Sequence, residues 1–402
     1  MFAAHSTVAG LPVPEPSALE ASAALAAEIA ARIDGEGGWL GFDAFMQLAL
    51  YAPGLGYYTG AASKFGTGGD FVTAPTLTPL FGECVARQLA QWFGACGFEP
   101  TGLSRHVLEF GAGDGSLAAD LLVALDGLGA GPERYAILEL SAELRARQRA
   151  RIAARAPAAL DRVHWLDRLP ERFEGVVLAN EVLDAMPVRL VRVLGQQVLE
   201  RGVALAQARL TYADRPADAG LRAEVLSRLA EAGWSPGADT DYVLEIGEQA
   251  EAWVAEIGSR LARGALLIID YGFPRRELYH PQRAVGTLMC HYRHRAHGDP
   301  FAWPGLQDIT SHVDFTALAR AGEAAGLLLC GYTSQARFLL NTGILDALAR
   351  TPAEAVREYA PQAHAVQRLL SEAEMGELFK AMVLTRSLPG EPIGFVRGAR
   401  AC

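Results

Sequence analysis

Cysteine is scarce in this 402-residue chain: Cys84, Cys96, Cys290, Cys330 and Cys402 are odd in number, widely spread, and form no Cys-x-x-Cys pair. That argues against a disulfide framework and against a thiolate zinc site, and it points to a reducing compartment. No apolar run reaches the ~18 residues needed to cross a bilayer, so no membrane span is expected. Positive charge is in deficit, with 36 Lys and Arg against 46 Asp and Glu and a net charge of -10. This balance opposes broad nucleic-acid binding through phosphate neutralisation, and a cationic partner fits it better. Residues 1–31 contain no Lys or Arg, unlike a secretory n-region or an Arg-rich transit peptide, so a cytoplasmic location is expected.

What is present is dominated by one stretch. His106 to Leu117 reads His-Val-Leu-Glu-Phe-Gly-Ala-Gly-Asp-Gly-Ser-Leu and runs into the apolar-periodic segment 118–125. The pattern predicts a strand, a tight turn and a helix. Gly111, Gly113 and Gly115 remove side chains where a backbone must come close to a ligand, and the helix start offers unpaired N–H groups. A dinucleotide fingerprint wants Gly-x-Gly-x-x-Gly or Ala, whereas position 116 is Ser. Glu109 stands two residues before the first glycine. A carboxylate there repels a pyrophosphate and attracts a sulfonium and an ammonium, which points to S-adenosylmethionine as the cofactor.

The rest of the chain builds around that turn. Residues 1–16 read as a loose arm with Pro12, Pro14 and Pro16. Residues 17–100 read as an N-terminal helical cap with a Gly-rich loop: a helix 18–33 opened by a Ser17/Glu20 capping box, a helix 43–50, a turn-rich stretch 51–82 and a helix 81–93. Residues 101–390 read as the main domain. Strands are expected at 106–110, 134–140, 162–166, 175–180, 265–270, 327–332 and 381–385, alternating with helices, the last of them over 345–370. The fold class expected is α/β, a doubly wound seven-stranded Rossmann-like sheet with an N-terminal helical segment and an inserted substrate-binding region. Insertions fall at about 188–242, which opens with a hairpin around Gly195, and at 271–312.

In such sheets ligands sit outside the carboxyl ends of the strands, and acids stand at several of them. Glu139 ends the second strand, where a carboxylate offers two oxygens to the two ribose hydroxyls. Asp167 could accept from the adenine amino group, and Asn180-Glu181 would face the reacting end. Asp184 closes that loop and Asp270 ends the fifth strand. His291, His294 and His297 recur at intervals of three, but interleaved arginines oppose a cation, so no metal is expected.

Five ordered motifs carry a resemblance. Gly69-Asp70-Phe71-x-Thr73-Ala74-Pro75, Leu108-Glu109-Phe110-Gly111-x-Gly113-x-Gly115, Asn180-Glu181-x-x-Asp184-Ala185-x-Pro187, Asp270-Tyr271-Gly272, and Gln307-Asp308-Ile309-Thr310-x-His312-Val313-Asp314-Phe315 resemble the MidA family over roughly residues 18–390. The resemblance implies an S-adenosylmethionine-dependent methyltransferase fold and methylation of arginine on a protein substrate, of the respiratory complex I subunit type. It also implies that the Gly69–Pro75 motif walls the cofactor site and that the Asn180 loop lies beside the transferred methyl. Two positions depart from the family's pattern: Thr76 replaces a common Glu, and Asp114 stands in the glycine turn.

Methyl transfer from a sulfonium is an in-line displacement, so the protein supplies alignment and electrostatics. A guanidinium acceptor stays protonated and needs carboxylates to hold its fork. Glu181, Asp184 and Asp270 are the expected catalytic acids, Glu181 first, with Glu245 a further candidate. Gly69, Asp70, Phe71, Thr73, Pro75, Glu109, Gly111, Gly113, Gly115, Glu139, Asp167 and Asn180 are the expected cofactor contacts. Two alternatives stay open: methylation of a small molecule or another side chain, and a cofactor-binding assembly protein without catalysis. The chain is compatible with a homodimer.

Overall fold

The computed structural model describes residues 10–60, 73–400 and 402. The chain divides into two compact units: Met1–Phe71 with Asp184–Glu251 and Phe273–Asp314, and Val72–Leu183 with Ala252–Gly272 and Phe315–Cys402.

The second unit holds the seven expected strands. Its strands are β1 (His106–Phe110), β2 (Arg134–Leu138), β3 (Val163–Leu166), β4 (Phe173–Asn180), β5 (Leu261–Phe273), β6 (Leu328–Ser334) and β7 (Phe379–Arg386). Helix α1 (Ser116–Gly127) joins β1 to β2 and helix α2 (Ala142–Arg155) follows β2. The strand order is β6-β7-β5-β4-β1-β2-β3. The five strands from β3 to β5 run parallel, while β7 is antiparallel to both its neighbours. Burial explains the apolar runs: Val176 to Ala179 and Ala265 to Ile269 are all buried, as strands covered on both faces must be. One core joins Val107, Ile137, Leu178 and Leu267 to Leu89 and Leu121 of the covering helices. Chain order reverses between β1 and β4, the point at which sheets of this kind bind ligands beyond the carboxyl ends of their strands.

The first unit is an antiparallel sheet of strands Arg189–Leu194, Gln197–Ala206, Arg209–Pro216, Asp241–Ile246 and the short Leu40–Gly41. Alternation assigns its faces. Leu190 and Val203 pack with Leu25, Ile29 and Phe45 of helices Pro16–Gly35 and Phe42–Tyr51, while Val191 and Val193 pack with Leu221, Val225 and Leu229.

Several sequence expectations change here. The helix expected at 18–33 begins at Pro16 with Glu15 as N-cap and no side-chain cap, so the Ser17/Glu20 box is unused; proline at the first helical position presets the backbone instead. The polar stretch 216–241 contains a helix, Ala219–Glu231, capped by Asp218 on the Leu221 N–H at 2.8 Å. The connection 271–311 carries strands Met289–Tyr292, Arg295–His297 and Asp308–Thr310. The helix expected at 345–370 is two, Ile344–Leu348 and Val356–Leu370, with Pro352 in the connection between them, where its missing N–H breaks no helical bond and it biases Thr351 away from helical backbone. The N-terminal region to residue 71 groups with both insertions, and helix Pro79–Trp92 groups with the parallel sheet rather than with the cap.

Candidate cofactor and acceptor site

The glycine turn after β1 is left-handed at all three glycines, with φ of +61°, +53° and +86° at Gly111, Gly113 and Gly115. Two of them are also demanded by protein neighbours. A Cβ on Gly111 would lie 2.6 Å from Val182 Cγ2, and one on Gly115 would lie 2.9 Å from the Cα of Gln148 in α2. Asp114 has a structural explanation as well: one carboxylate oxygen accepts from Ser116 N at 2.9 Å, at the start of α1, and the other pairs with Arg151 of α2 at 2.6 Å.

Glu109 is buried in β1, only 2% exposed, and accepts from the Tyr135 hydroxyl at 2.8 Å. Burial raises its pKa to about 7, with the Tyr135 hydrogen bond opposing. At neutral pH its charge is therefore only partly present.

At the end of β2, Glu139 is half-buried; one oxygen accepts from Ser141 N at 2.8 Å and the other from Gln148 Nε2 at 3.2 Å. Leu140 beside it is 77% exposed. At the end of β3, Asp167 is exposed and bonded to Arg145 at 2.5 Å, while Arg145 also donates to the carbonyls of Glu139 and Leu166 at 2.6 and 3.0 Å. Arg145 and Gln148 escaped the sequence reading. The available signal was position: Gln148 and Ile152 are the two buried residues of α2, four apart, so a polar amide occupies an apolar stripe.

The turn after β4 is held differently. Asn180 is buried, and its Oδ1 has no hydrogen-bond partner among the described residues. Glu181 stands at φ +53°, and its N–H donates to Ile269 O at 2.9 Å. Its Oε1 accepts from Asn180 Nδ2 at 3.2 Å and from Ala74 N at 3.1 Å, at the start of helix Ala74–Leu77. Thr73 is the N-cap of that short helix and Pro75 is buried within it. Gly69, Asp70 and Phe71, expected beside the cofactor, lie outside the described residues. Asp270 is fully buried: Oδ2 accepts from Val182 N and Leu183 N at 3.1 and 2.8 Å, and Oδ1 from Tyr271 N at 2.9 Å. It fixes the turn that presents Glu181.

This edge of the sheet fits S-adenosylmethionine. A half-buried carboxylate suits ribose hydroxyls, the exposed leucine beside it suits an adenine face, and an amide oxygen lacking a partner among the described residues suits an ammonium group.

The first unit holds the remaining acids. Asp184 is buried there, and its backbone carbonyl accepts from Ser311 N at 2.9 Å. Tyr51 and Tyr58 stack at 5.5 Å; Tyr58 donates to Asp308 at 2.9 Å and Tyr51 to Ala185 O at 3.0 Å. Burial first, and then the negative charges of Asp308 and Asp184, keep both phenols protonated far above their usual range. Glu245, the further candidate acid, is committed elsewhere. It is buried and accepts from Thr287 N, Leu288 N and the Thr287 hydroxyl at 2.7, 3.0 and 3.1 Å, which commits it to folding that loop. His291, His294 and His297 lie on a β-hairpin with His294 in its turn, so their three-residue interval does not make a helical stripe.

A family model described as "Putative S-adenosyl-L-methionine-dependent methyltransferase" matches residues 84–333. The chain is 28% identical to "Protein arginine methyltransferase NDUFAF7 homolog, mitochondrial" of Drosophila melanogaster, across 85% of this chain and 80% of that one. It is 27% identical to "Protein arginine methyltransferase NDUFAF7, mitochondrial" of Homo sapiens, across 85% and 78%. A Burkholderia thailandensis protein crystallised with S-adenosyl-homocysteine is similar in structure, with a TM-score of 0.91 and 54% identity over 98% of this chain and 99% of that one.

Proposed function

The chain belongs to this S-adenosyl-L-methionine-dependent methyltransferase family, and from that premise we propose that the methyl acceptor is an arginine side chain presented by a protein. The observation that carries the proposal is the similarity, across 85% of the chain, to relatives named protein arginine methyltransferase. The bound cofactor supplies a methyl group made electrophilic by its sulfonium. The chain's own residues must align the acceptor and steady its charge, because a guanidinium remains protonated.

Glu181 is the proposed orienting carboxylate, set at the carboxyl end of β4 in a turn that Asp270 holds from beneath. Asp270 is then a positioning acid, since its oxygens serve three backbone N–H groups. Asp184, three residues further along the chain, is the second acid proposed for the acceptor. On the cofactor side, Glu139 is assigned to the ribose, Asp167 to the adenine amino group and Asn180 to the amino-acid end, with Thr73 and Pro75 in the adjoining wall. A cytoplasmic site of action is supported by five cysteines that are all unbridged, and subcellular fractionation tests it.

Incubation with methyl-labelled S-adenosylmethionine and a protein extract, followed by mass spectrometry of the labelled residue, tests the acceptor. Label on arginine is expected; label only on small molecules or on other side chains overturns the proposal. Glu181→Gln then tests the orienting role. A charge-assisted bond to the guanidinium predicts a roughly 10- to 150-fold fall in transfer with cofactor affinity unchanged. Undiminished turnover by the folded variant transfers the role to Asp184.

A further inference from the structure

Helix α2 carries Arg145, Gln148 and Arg151 at intervals of three, which places them on one stripe of the helix. Each reaches a different part of the cofactor edge. Arg145 bonds Asp167 at the end of β3, Gln148 bonds the glycine turn and Glu139, and Arg151 bonds Asp114 within that turn. Gln148 is the central member and is fully buried.

Both N–H donors of its amide are used, and its oxygen is engaged as well. Nε2 donates to Gly113 O at 3.0 Å and to Glu139 Oε2 at 3.2 Å, and Oε1 accepts from Trp165 Nε1 at 2.8 Å. The amide cannot be turned over, because an indole nitrogen only donates and a peptide carbonyl only accepts. Glu139 receives one donor on each oxygen, Gln148 on one and Ser141 N on the other, so each oxygen keeps capacity for one further hydroxyl. Gly115 completes the fit, since a Cβ there would lie 3.3 Å from Gln148 Cβ and 2.9 Å from its Cα.

We propose that Gln148 is a positioning residue of the cofactor site, whose single amide orients the Glu139 carboxylate for the two ribose hydroxyls and ties the glycine turn at Gly113 to it. This rests on the assignment of Glu139 to the ribose. No apolar residue can replace the amide in this role, because the Gly113 carbonyl and the Trp165 N–H would both lose their partner. A glutamate cannot replace it either, because it has no proton to donate and would set a second carboxylate beside Glu139.

The test is calorimetric titration of the full chain with S-adenosylhomocysteine and with its 2′-deoxyadenosyl analogue. The readout is the ratio of the two affinities, which a merely structural residue would leave unchanged while lowering both. The wild type is expected to favour the ribose compound by roughly 10-fold or more. Gln148→Met, similar in length and apolar, is expected to bring that ratio to about 3 or below while weakening the ribose compound by roughly 10- to 100-fold. Gln148→Asn keeps an amide one methylene short, guards against a folding failure of the first variant, and is expected to lower the ratio in the same direction. A wild-type ratio in either folded variant overturns the proposal. Glu139→Gln separates the premise from the inference: a wild-type ratio in Glu139→Gln removes the ribose assignment itself. A collapsed ratio there with an intact one in the Gln148 variants removes only the role of Gln148.

Discussion

Two turns at neighbouring strand ends reach left-handed backbone by opposite means. After β1 the chain uses glycine at all three left-handed positions, 111, 113 and 115, where no side chain opposes the conformation. After β4 it places Glu181 in the same region at φ +53°, a conformation that costs a non-glycine residue about 1 kcal/mol. The second turn is held by the buried Asp270 through Val182 N and Leu183 N, and by Ile269 O on Glu181 N. The first turn gives up side chains so that neighbours can approach; the second keeps one and tolerates strain so that a carboxylate stands at the strand end. The acids beneath them differ in the same sense: Asp270 receives three backbone N–H groups, whereas Glu109 receives the Tyr135 hydroxyl in an otherwise desolvating site.

The largest expected effect breaks the second turn. Asp270→Ala leaves three amide donors of a buried region without this acceptor and should lower stability by about 3–5 kcal/mol in urea unfolding. A loss below about 1 kcal/mol would mean that the turn holds its shape without the carboxylate.

Glu109 gives a pH signature to the strand beneath the first turn. Its pKa is raised to about 7, so the folded protein holds a proton that the unfolded chain releases near 4.5. The resulting stability is present in full below about pH 4.5 and is lost as pH rises through about 7, by up to roughly 3 kcal/mol. Glu109→Gln should flatten that part of the profile, and an unchanged profile in the variant would assign the pH dependence elsewhere. Because a nearby cation favours the ionised form, S-adenosylmethionine should release more protons on binding than S-adenosylhomocysteine, which lacks the sulfonium charge. Titration in two buffers of different ionisation enthalpy measures this.

Substitution within the first turn sharpens the comparison. Gly115→Ala meets the Cα of Gln148 at 2.9 Å, which is backbone, whereas Gly111→Ala meets the Val182 side chain at 2.6 Å. We expect about 2–3 kcal/mol for the former and about 1–2 kcal/mol for the latter, with Val182→Ala recovering part of the second loss only. Equal losses, or no recovery, would show that strain alone sets both. The smallest effect is expected for Glu181→Gly. Relief of the left-handed strain offsets loss of the bonds from Ala74 N and Asn180 Nδ2, so stability should stay within about 1 kcal/mol of wild type.

The sheet was readable from sequence because its strands are buried on both faces. Runs such as Val176 to Ala179 and Ala265 to Ile269 announce themselves without needing their neighbours. The acids at strand ends were readable for the same reason, since a strand's end fixes where the next residue stands. Side-chain commitments were not. Nothing local distinguishes Asp270, which serves backbone amides, from an acid that faces solvent, and nothing local reveals that Glu181 is left-handed. Helix Ala219–Glu231 was hidden by its polar, Gly-containing surroundings, although Leu221, Val225 and Leu229 recur at intervals of four. The grouping of the N-terminal helices with two distant insertions depends on pairings such as Trp39 with Ala213 and Tyr58 with Asp308, which no sequence window spans.

That discontinuity sets a timetable for synthesis. The first unit draws on residues up to 71 and again on 184–251 and 273–314, so its N-terminal helices wait for partners made much later. At about 5–20 residues per second, the interval between residue 71 and residue 314 lasts roughly 10–50 seconds. Until residue 190 emerges, Leu25, Ile29 and Phe45 lack all of Leu190, Val203 and Ile309, which pack with them in the finished protein, and Ile309 arrives only at the end of the interval. A nascent chain stalled within that window exposes an amphipathic helix pair, which is a surface for chaperones and a hazard for aggregation.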